Sequence, residues 1–196
     1  MYNRIHPVSV EAVPGKEQTG MSVIEMKYCM QCGTELKLKY HETEGKDVPY
    51  CETCRDYRFP VYSTAVSMVV TNEAEDKILL IKQYGRDRYI LVAGYINKGE
   101  EAEHAVVREV LEETGLTVRK VWFNHSHYYK KSNTLLLNFT AVVTGTDVHE
   151  NKEIDSYRWF SREEAEENVS KPSLAGDFLN GYLTGKYHFS DTYTFN

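Results

Sequence analysis

Residues 94–116 read GYINKGEEAEHAVVREVLEETGL, and the second half of this stretch predicts an α-helix over about residues 102–114. Glu109, Glu112 and Glu113 are three and four residues apart, which places them within about 100° of arc on one helical face. A separate apolar arc is expected to face the core, and its members are Val106, Val107, Val110 and Leu111. The stretch therefore predicts a helix with one buried side and a dense cluster of carboxylates.

The carboxylate cluster is electrostatically unfavourable at this position. Glu112 and Glu113 occupy the predicted last turn, where the helix dipole disfavours each anion by roughly 0.3–1 kcal/mol. A sequence that breaks local rules in one place usually does so for function. A hard divalent cation would offset the repulsion, because magnesium prefers carboxylates together with waters and phosphates. The alternative is a solvated acidic helix that ends at Gly115 as its C-terminal cap.

The same stretch resembles the box of the Nudix hydrolase family at every defining position. That box is Gly, five residues, Glu, seven residues, Arg-Glu, an aliphatic residue, any residue, Glu-Glu, any residue, Gly and an aliphatic residue. The matching positions are Gly94, Glu100, Arg108, Glu109, Val110, Glu112, Glu113, Gly115 and Leu116. The resemblance implies an α+β protein, the Nudix α/β/α sandwich with a mixed sheet, where the pattern of elements alone gives only α/β or α+β.

The resemblance also implies a role for each box side chain. Glu109, Glu112 and Glu113 correspond to carboxylates that hold catalytic Mg2+ or Mn2+, and Glu113 is in addition the expected general base. Glu100 and Arg108 are expected to pair and to hold the loop before the helix. The family also implies reaction at a nucleoside diphosphate linked to a second group, with water attacking one phosphorus.

A fourth carboxylate often comes from a later loop in this family. Glu153 is the best candidate because of its distance ahead of the aromatic segment at 157–159, and Glu150 and Asp155 are its rivals. A single acidic residue in a polar loop is commonly just solvated, so this ligand remains an expectation.

The four cysteines form two pairs, Cys29-Met-Gln-Cys32 and, eighteen residues later, Cys51-Glu-Thr-Cys54. Two CxxC pairs at this separation predict a tetrahedral structural Zn2+ site, with disulfides as the alternative. The intervening segment is polar and too short for a core of its own, so the metal would supply folding free energy on the order of 10 kcal/mol. Four thiolates leave no open position, which argues against a catalytic zinc.

A four-cysteine ribbon directly before a Nudix box resembles the bacterial NADH pyrophosphatase (NAD diphosphatase) family over roughly residues 28–184. That family cleaves NAD(H), removes NAD caps from RNA and forms homodimers. By this resemblance Tyr95 and Phe59 are candidates to stack on a substrate base, worth roughly 1–3 kcal/mol per base. Either ring is equally compatible with ordinary packing.

The family's Ser-Gln-Pro-Trp-Pro-Phe-Pro-x-Ser signature is missing, which leaves specificity for NAD open. The corresponding region, 124–132, reads NHSHYYKKS and contains no proline. As a strand it would place His125, His127 and Tyr129 on one face and Tyr128 on the other, where Tyr128 is a further candidate for substrate binding. The two histidines also offer a less favoured metal site.

Length and charge limit the remaining options. The chain has 196 residues, 41% of them apolar, and a net charge of −6, which argues against a broad electrostatic grip on duplex nucleic acid. No apolar run reaches membrane-spanning length and no signal peptide is recognisable, so a cytoplasmic protein without membrane contact is expected.

The expected organisation is a flexible arm at 1–25, a zinc ribbon at 26–58, a Nudix domain at 59–188 and a tail at 189–196.

Hydrophobic patterns predict the other elements. Strands are expected at 61–71, 77–83, 88–93, 117–129, 134–143 and 157–160, with a helix that begins after Ser161 and a last helix around 174–182.

The predicted function is metal-dependent hydrolysis of a nucleotide pyrophosphate. NAD(H)-type dinucleotides or ADP-ribose are the first candidates, giving AMP and a second phosphate product. RNA decapping or sanitation of nucleoside triphosphates is a chemically close alternative. A ligand-sensing or nucleic-acid-binding regulator built on the same domain is the alternative from another class.

Overall fold

The described chain begins with a small antiparallel sheet. The computed structural model describes residues 26–149 and 153–187 and the backbone of 193–194, so the arm predicted at 1–25 and most of the predicted tail lie outside the described residues. The small sheet has the order β1-β2-β3 and consists of β1 (Lys37–His41), β2 (Lys46–Cys51) and β3 (Asp56–Tyr57). The chain divides into two units between Pro60 and Val61.

A mixed sheet of seven strands forms the second unit. Its strands are β4 (Ser63–Thr71), β5 (Ile78–Gln83), β6 (Val92–Tyr95), β7 (Thr117–Tyr129), β8 (Thr134–Thr144), β9 (Ile154–Phe160) and β10 (Tyr193–Thr194). Their order is β10-β7-β8-β4-β5-β9, and β6 pairs separately with β4. The β4–β8 pair is parallel, and every other pair among these described strands is antiparallel.

Helices cover both faces of this sheet. They are α1 (Ala102–Thr114), α2 (Arg162–Asn168) and α3 (Leu174–Leu183). Because successive side chains of a strand point to opposite faces, the sheet contributes to two apolar clusters. The first joins Val66, Met68, Val70, Leu79 and Ile81 to Ala105, Val106 and Val110 of α1. The second joins Val69, Ile78 and Leu80 to Ala165 of α2 and Phe178, Leu179 and Tyr182 of α3. The predicted α/β/α sandwich with a mixed sheet is confirmed.

Helix α1 has the predicted bounds, but one residue of its predicted apolar arc faces solvent. Val106 and Val110 are completely buried, whereas Leu111 is 52% exposed, so the prediction that Leu111 faces the core is wrong. Leu111 lies about 140° around the helix from Val106, whereas Glu113, seven residues after Val106, returns to the same side. The buried stripe of α1 therefore ends in a carboxylate. Gly115 ends the helix in the left-handed conformation, with φ of 74°.

The other predicted elements differ from the structure mainly at their ends. The strand predicted at 88–93 is shifted, because Tyr89 and Ile90 form only isolated bridges and β6 continues through Gly94 to Tyr95. Ser161 begins α2 as predicted, with a reciprocal capping box to Glu164. No helix in the described part of the chain combines the length and apolar character needed to cross a membrane.

Candidate active site and metal centre

A cavity of about 960 Å³ lies beside the carboxylates of α1. Glu109 and Glu113 line it from the helix, Glu153 lines it from the segment before β9, and Gly94 and Tyr95 line it from the end of β6. Three of the four predicted metal carboxylates therefore share one cavity. The fourth, Glu112, is not among the lining residues, and its side chain is 59% exposed.

Glu113 is the buried carboxylate of the site. It is only 4% exposed, and its Oε2 accepts a hydrogen bond of 3.1 Å from Nε2 of Gln83 at the end of β5. Burial is the main cause that raises the pKa of Glu113 to about 8, and the negative charges of Glu109 and Glu153 raise it further. The fold thus holds a carboxyl group where its anionic form is costly.

Arg108 links the remaining box carboxylates. Its Nε and Nη2 donate to the two oxygens of Glu100 at 2.7 and 2.9 Å, the pairing that the resemblance implied. Its Nη1 donates to Glu109 at 2.7 Å and to Glu112 at 3.0 Å, and its Nη2 also donates to the carbonyl of Tyr95 at 3.0 Å. The Arg108 guanidinium is the main cause that lowers the pKa of Glu100 to about 2. Arg108 therefore fixes the loop before α1 and partly compensates the acidic face.

Gly94 is required by the position of Glu109. A Cβ atom at residue 94 would collide with the carboxyl group of Glu109. At the other end of α1, a Cβ atom at Gly115 would collide with the ring of His149, in addition to the strain of its positive φ. Both box glycines therefore have a physical reason in this structure.

The donor set fits a hard divalent cation. Carboxylates are the ligands that such ions prefer, and the charges of Glu109 and Glu153 add to burial in raising the pKa of Glu113. In the described ranges, the cysteines are the only group of three or more potential ligands whose atoms all lie within 4.8 Å of one another. The carboxylates of α1 therefore need to converge to share an ion directly. Arg108 donates to Oε1 of Glu109 and to Oε2 of Glu112, so each of these contacts engages one oxygen of its carboxylate and is compatible with a metal at the other.

The three candidates for the fourth carboxylate differ in their surroundings. Glu153 lines the cavity and raises the pKa of Glu113. Asp155 accepts a hydrogen bond of 2.6 Å from the backbone N–H of Gly85, which gives it a structural role in that loop. Glu150 lies outside the described residues. The placement favours Glu153 over Asp155.

The three aromatic candidates for substrate binding lie in different places. Tyr95 is 62% exposed and lines the cavity. Phe59 belongs to the first unit, is 49% exposed and contacts the ring of His41 edge-on. Tyr128 is not among the lining residues, and its hydroxyl donates to Asn133 at 2.7 Å, whereas the next residue, Tyr129, lines the cavity.

The histidines of β7 pack against aromatic rings near α3. His125 stacks on Tyr187 with ring centroids 5.4 Å apart, and His127 meets Phe178 edge-on. Neither belongs to a cluster of potential metal ligands within the described residues. The alternative of a histidine metal site therefore gains no support.

Several residues in or beside the cavity carry no sequence motif that marks them as substrate contacts. Gln83 contacts Glu113, and the others, which line the cavity, are Tyr84, Arg88, Tyr129, Lys131 and Ser132. A polar residue at the end of the buried run 78–83 was the available signal for Gln83. The sequence predicts the lysine pair at 130–131 only as part of the connection between the strands at 117–129 and 134–143, because nothing in the sequence shows that this hairpin tip borders the cavity.

The four cysteines form a separate candidate metal centre in the first unit. The Sγ atoms of Cys32 and Cys51 are 3.4 Å apart, and those of Cys29 and Cys54 are 3.9 Å apart. Zinc with four bonds of about 2.3 Å sets tetrahedral sulfurs about 3.8 Å apart, whereas a disulfide joins sulfurs at about 2.0 Å. All four cysteines are free. Their geometry fits a tetrahedral metal ion rather than disulfides.

The backbone of both knuckles supports this arrangement. Gly33 donates its N–H to the carbonyl of Cys29 at 2.8 Å, and the N–H of Cys54 donates to the sulfur of Cys51 at 3.3 Å. Burial raises the pKa of Cys29, but the backbone N–H of Gln31 and the Arg58 guanidinium lower it more, to about 6. Cys29 is therefore predisposed to the thiolate form that metals bind.

Known proteins resemble the chain in sequence and fold. A family model described as NUDIX domain matches residues 61–178. The NAD-capped RNA hydrolase NudC of Pseudomonas aeruginosa is 29% identical over 167 residues, covering 85% of this chain and 59% of that protein. The protein of the same name from Stutzerimonas stutzeri is 28% identical with the same coverage. The chain thus spans only about three fifths of the length of these relatives.

Solved structures show the same fold. A NUDIX hydrolase from Nitrosomonas europaea superposes with a TM-score of 0.61 at 24% identity, covering 82% of this chain and 92% of that one. A C. elegans Ap4A hydrolase superposes with a TM-score of 0.52 at 19% identity, covering 62% of this chain and 97% of that one. At these identities the likeness concerns the fold alone. Because the family model spans more than half of the chain and the box and fold agree with it, the chain belongs to the Nudix domain family.

Proposed function

We propose that the chain is a metal-dependent Nudix pyrophosphohydrolase. Its proposed substrates are nucleoside diphosphates linked to a second group, with NAD(H)-type dinucleotides first and ADP-ribose second, which release AMP and a second phosphate product. The observation that carries the proposal is the buried carboxyl of Glu113 in the same cavity as Glu109 and Glu153, on a helix with the complete box. Relatives named NAD-capped RNA hydrolase support the NAD-type substrate.

The proposed mechanism gives the carboxylates two tasks, metal binding and general-base catalysis. Glu109, Glu112, Glu113 and Glu153 would hold Mg2+ or Mn2+, which supplies charge neutralisation at the diphosphate and lowers the pKa of bound water. Glu113 is the proposed general base and accepts the proton of the attacking water. Gln83 holds the plane of the Glu113 carboxyl group through its 3.1 Å hydrogen bond, so the base is oriented before the substrate arrives.

The rest of the cavity supports an anionic substrate with aromatic bases. Arg88 and Lys131 line it as cations in addition to Arg108, and Tyr84, Tyr95 and Tyr129 supply rings. Base–aromatic stacking is worth roughly 1–3 kcal/mol per base. We assign Tyr95 to base stacking, because it is exposed and lies directly after Gly94. Stacking by Phe59 and Tyr128 stays a prediction that rests on the family resemblance.

NAD-capped RNA is a second proposed substrate, on the strength of the relatives' printed names. The four-cysteine centre is proposed to bind Zn2+ as a structural ion, because its donor set leaves no open position. Homodimerisation and a cytoplasmic location are further predictions from the resemblance. A sensor that binds nucleotides without cleaving them remains the competing function.

The decisive experiment is a product assay with purified protein and magnesium or manganese. NADH, ADP-ribose, a dinucleoside polyphosphate and NAD-capped RNA form the panel, and we expect AMP or 5′-phosphorylated RNA from at least one of them. Glu113→Gln should lower the rate at least 100-fold, since general bases contribute about 10²–10⁴-fold. Glu103→Gln, in the first turn of the same helix and outside the cavity lining, is the matched control and should keep full activity. Binding of these nucleotides without turnover would favour the sensor.

A further inference from the structure

The first unit buries an arginine against a cysteine of the candidate zinc centre. Arg58 follows β3 directly and is only 9% exposed, which is unusual for a residue type that is almost never fully buried unless paired. Its Nε lies 3.2 Å from Sγ of Cys29 and points its N–H at that sulfur. The side chain therefore contacts one of the four potential zinc ligands directly.

The remaining donors of Arg58 fix the orientation of its guanidinium plane. Nη1 donates to Asp56 at 2.5 Å and to the carbonyl of Tyr57 at 3.0 Å, and Nη2 donates to the side chain of Gln31 at 3.2 Å. Gln31 lies between Cys29 and Cys32 in the first knuckle, whereas Asp56 and Tyr57 follow the second knuckle. Arg58 thus ties the two halves of the ribbon together across the centre.

The contact between Arg58 and Cys29 can compensate the negative charge of the metal centre. Four thiolates and one Zn2+ carry a net charge of −2, and burial of an uncompensated charge is costly. Arg58 contributes the compensating positive charge at a buried sulfur. Asp56 offsets part of the positive charge of Arg58. Because the Asp56 side chain is 68% exposed, water screens its interaction with Arg58 more strongly than the interaction between Arg58 Nε and the buried sulfur of Cys29.

We propose that Arg58 is a ligand-positioning residue of the zinc centre, which holds the thiolate of Cys29 by a charge-assisted hydrogen bond and so retains the metal. The proposal rests on the assignment of zinc to the four cysteines, and it is independent of the hydrolase activity. Partners that orient metal ligands typically change metal affinity about 10–100-fold when removed. In the zinc-loaded protein, where Cys29 is a thiolate with or without Arg58, the hydrogen bond from Arg58 makes the sulfur a weaker nucleophile, so Arg58 should protect it from electrophiles.

The test compares zinc retention in full-length variants. Arg58→Met keeps much of the side-chain length and removes the charge and the donors, and Arg58→Lys keeps the charge but loses the planar fork. Arg55→Met is the matched control, because Arg55 is an exposed arginine directly after Cys54. With a chromogenic chelator, Arg58→Met should bind zinc 10–100-fold more weakly than wild type, Arg58→Lys should be intermediate, and Arg55→Met should stay within about twofold.

Two further readouts separate ligand positioning from a general loss of structure. In cobalt-loaded protein, the thiolate-to-cobalt absorption should move to lower energy in Arg58→Met, because the sulfur loses its hydrogen bond. Peptide mapping after treatment of the zinc-loaded proteins with N-ethylmaleimide should show faster alkylation of Cys29 in that variant. Equal zinc affinity and unchanged cobalt spectra in wild type and Arg58→Met would overturn the proposal, as would equal losses in the Arg55 and Arg58 variants. A wild-type protein that binds neither zinc nor cobalt would overturn it together with its premise.

Discussion

At the scale of single residues, Glu113 is a buried carboxyl group whose anionic form is costly in this fold. Its pKa of about 8 in the folded chain lies far above the value near 4.3 of an unperturbed glutamate. Between these two values the folded state holds a proton that the unfolded state has released. The unfolded state therefore binds fewer protons, and stability must fall as the pH rises through this window.

We therefore predict that Glu113→Gln stabilises the protein in buffer free of magnesium and manganese, with any metal at the four cysteines left in place. Each pKa unit corresponds to about 1.4 kcal/mol, so the gain should be on the order of a few kcal/mol at pH 8 and should nearly vanish at pH 4–5. Urea unfolding at pH 5, 6.5 and 8 measures the difference. Glu103→Gln provides the control, and its effect should not grow with pH. A gain that is equal at pH 5 and pH 8 would contradict the burial argument.

Site residues with a regular spacing along the chain could be predicted from the sequence. Residues that approach the site only through the tertiary structure could not. The pair of Glu100 and Arg108 follows from the box, and the helical face of Glu109 follows from the 3.6-residue period. Gln83 contacts Glu113, which lies 30 residues further along the chain. Helix and strand periodicity relate only residues within one element, so they cannot predict this contact. Tyr128 and Tyr129 show a related limit: alternation along β7 separates their faces, but it does not show which face borders the cavity.

At the scale of elements, the active face depends on how closely α1 approaches β6. Gly94 pairs with Val66 of β4, so the strand is held in place, and the Glu109 carboxyl occupies the space that a side chain at residue 94 would take. Glu109 also accepts a hydrogen bond from Arg108 at this point. A methyl group here would displace a side-chain end and leave the strand pairing intact.

We predict that Gly94→Ala lowers activity at least tenfold while the melting temperature changes by only a few degrees, because the flexible end of Glu109 moves and the packed strands do not. The activity loss should be partly relieved at high magnesium, since a displaced carboxylate weakens the cation site rather than removing it. Steady-state rates across a magnesium titration, together with thermal unfolding, measure both effects. Lys98→Ala, in the exposed loop between β6 and α1, is the control and should match wild type. Wild-type magnesium dependence in Gly94→Ala would disprove the spatial argument.

The ends of an element could be predicted to the residue where a local sequence feature fixes them. They could not be predicted where pairing with another strand fixes them. Helix α1 ends where Gly115 permits the left-handed conformation, and its predicted range of 102–114 matches the structure. Strand β6 was misplaced, because its range is set by pairing of residues 92–95 with β4 and not by its own hydrophobic pattern. Leu111 was misassigned for the same reason, since the helix period allows several faces and only the sheet selects the buried one.

At the scale of the whole chain, the two units differ in the source of their internal stability. The second unit contains both large apolar clusters, which pack on the two faces of its sheet. In the first unit, the buried apolar residues within the described range are Cys29, Val48 and Cys51, and two of these three are candidate metal ligands. Such a small core cannot offset the entropy of ordering some 35 residues at roughly 1–2 kcal/mol each, so we expect the stability of this unit to come largely from a metal ion at the four cysteines.

We therefore predict that a zinc chelator unfolds residues 26–60 and leaves the main thermal transition of the chain within about 2 °C of its original value. Metal binding is folding free energy for small metal-held domains, on the order of 10 kcal/mol, whereas the clusters of the second unit contain no cysteine. Limited proteolysis with peptide mapping should show new cleavage sites confined to 26–60, and calorimetry should show the retained transition. Cys51→Ser should reproduce the chelated state without chelator. A main transition that falls in step with zinc loss would show instead that the Nudix unit depends on the ribbon for its stability.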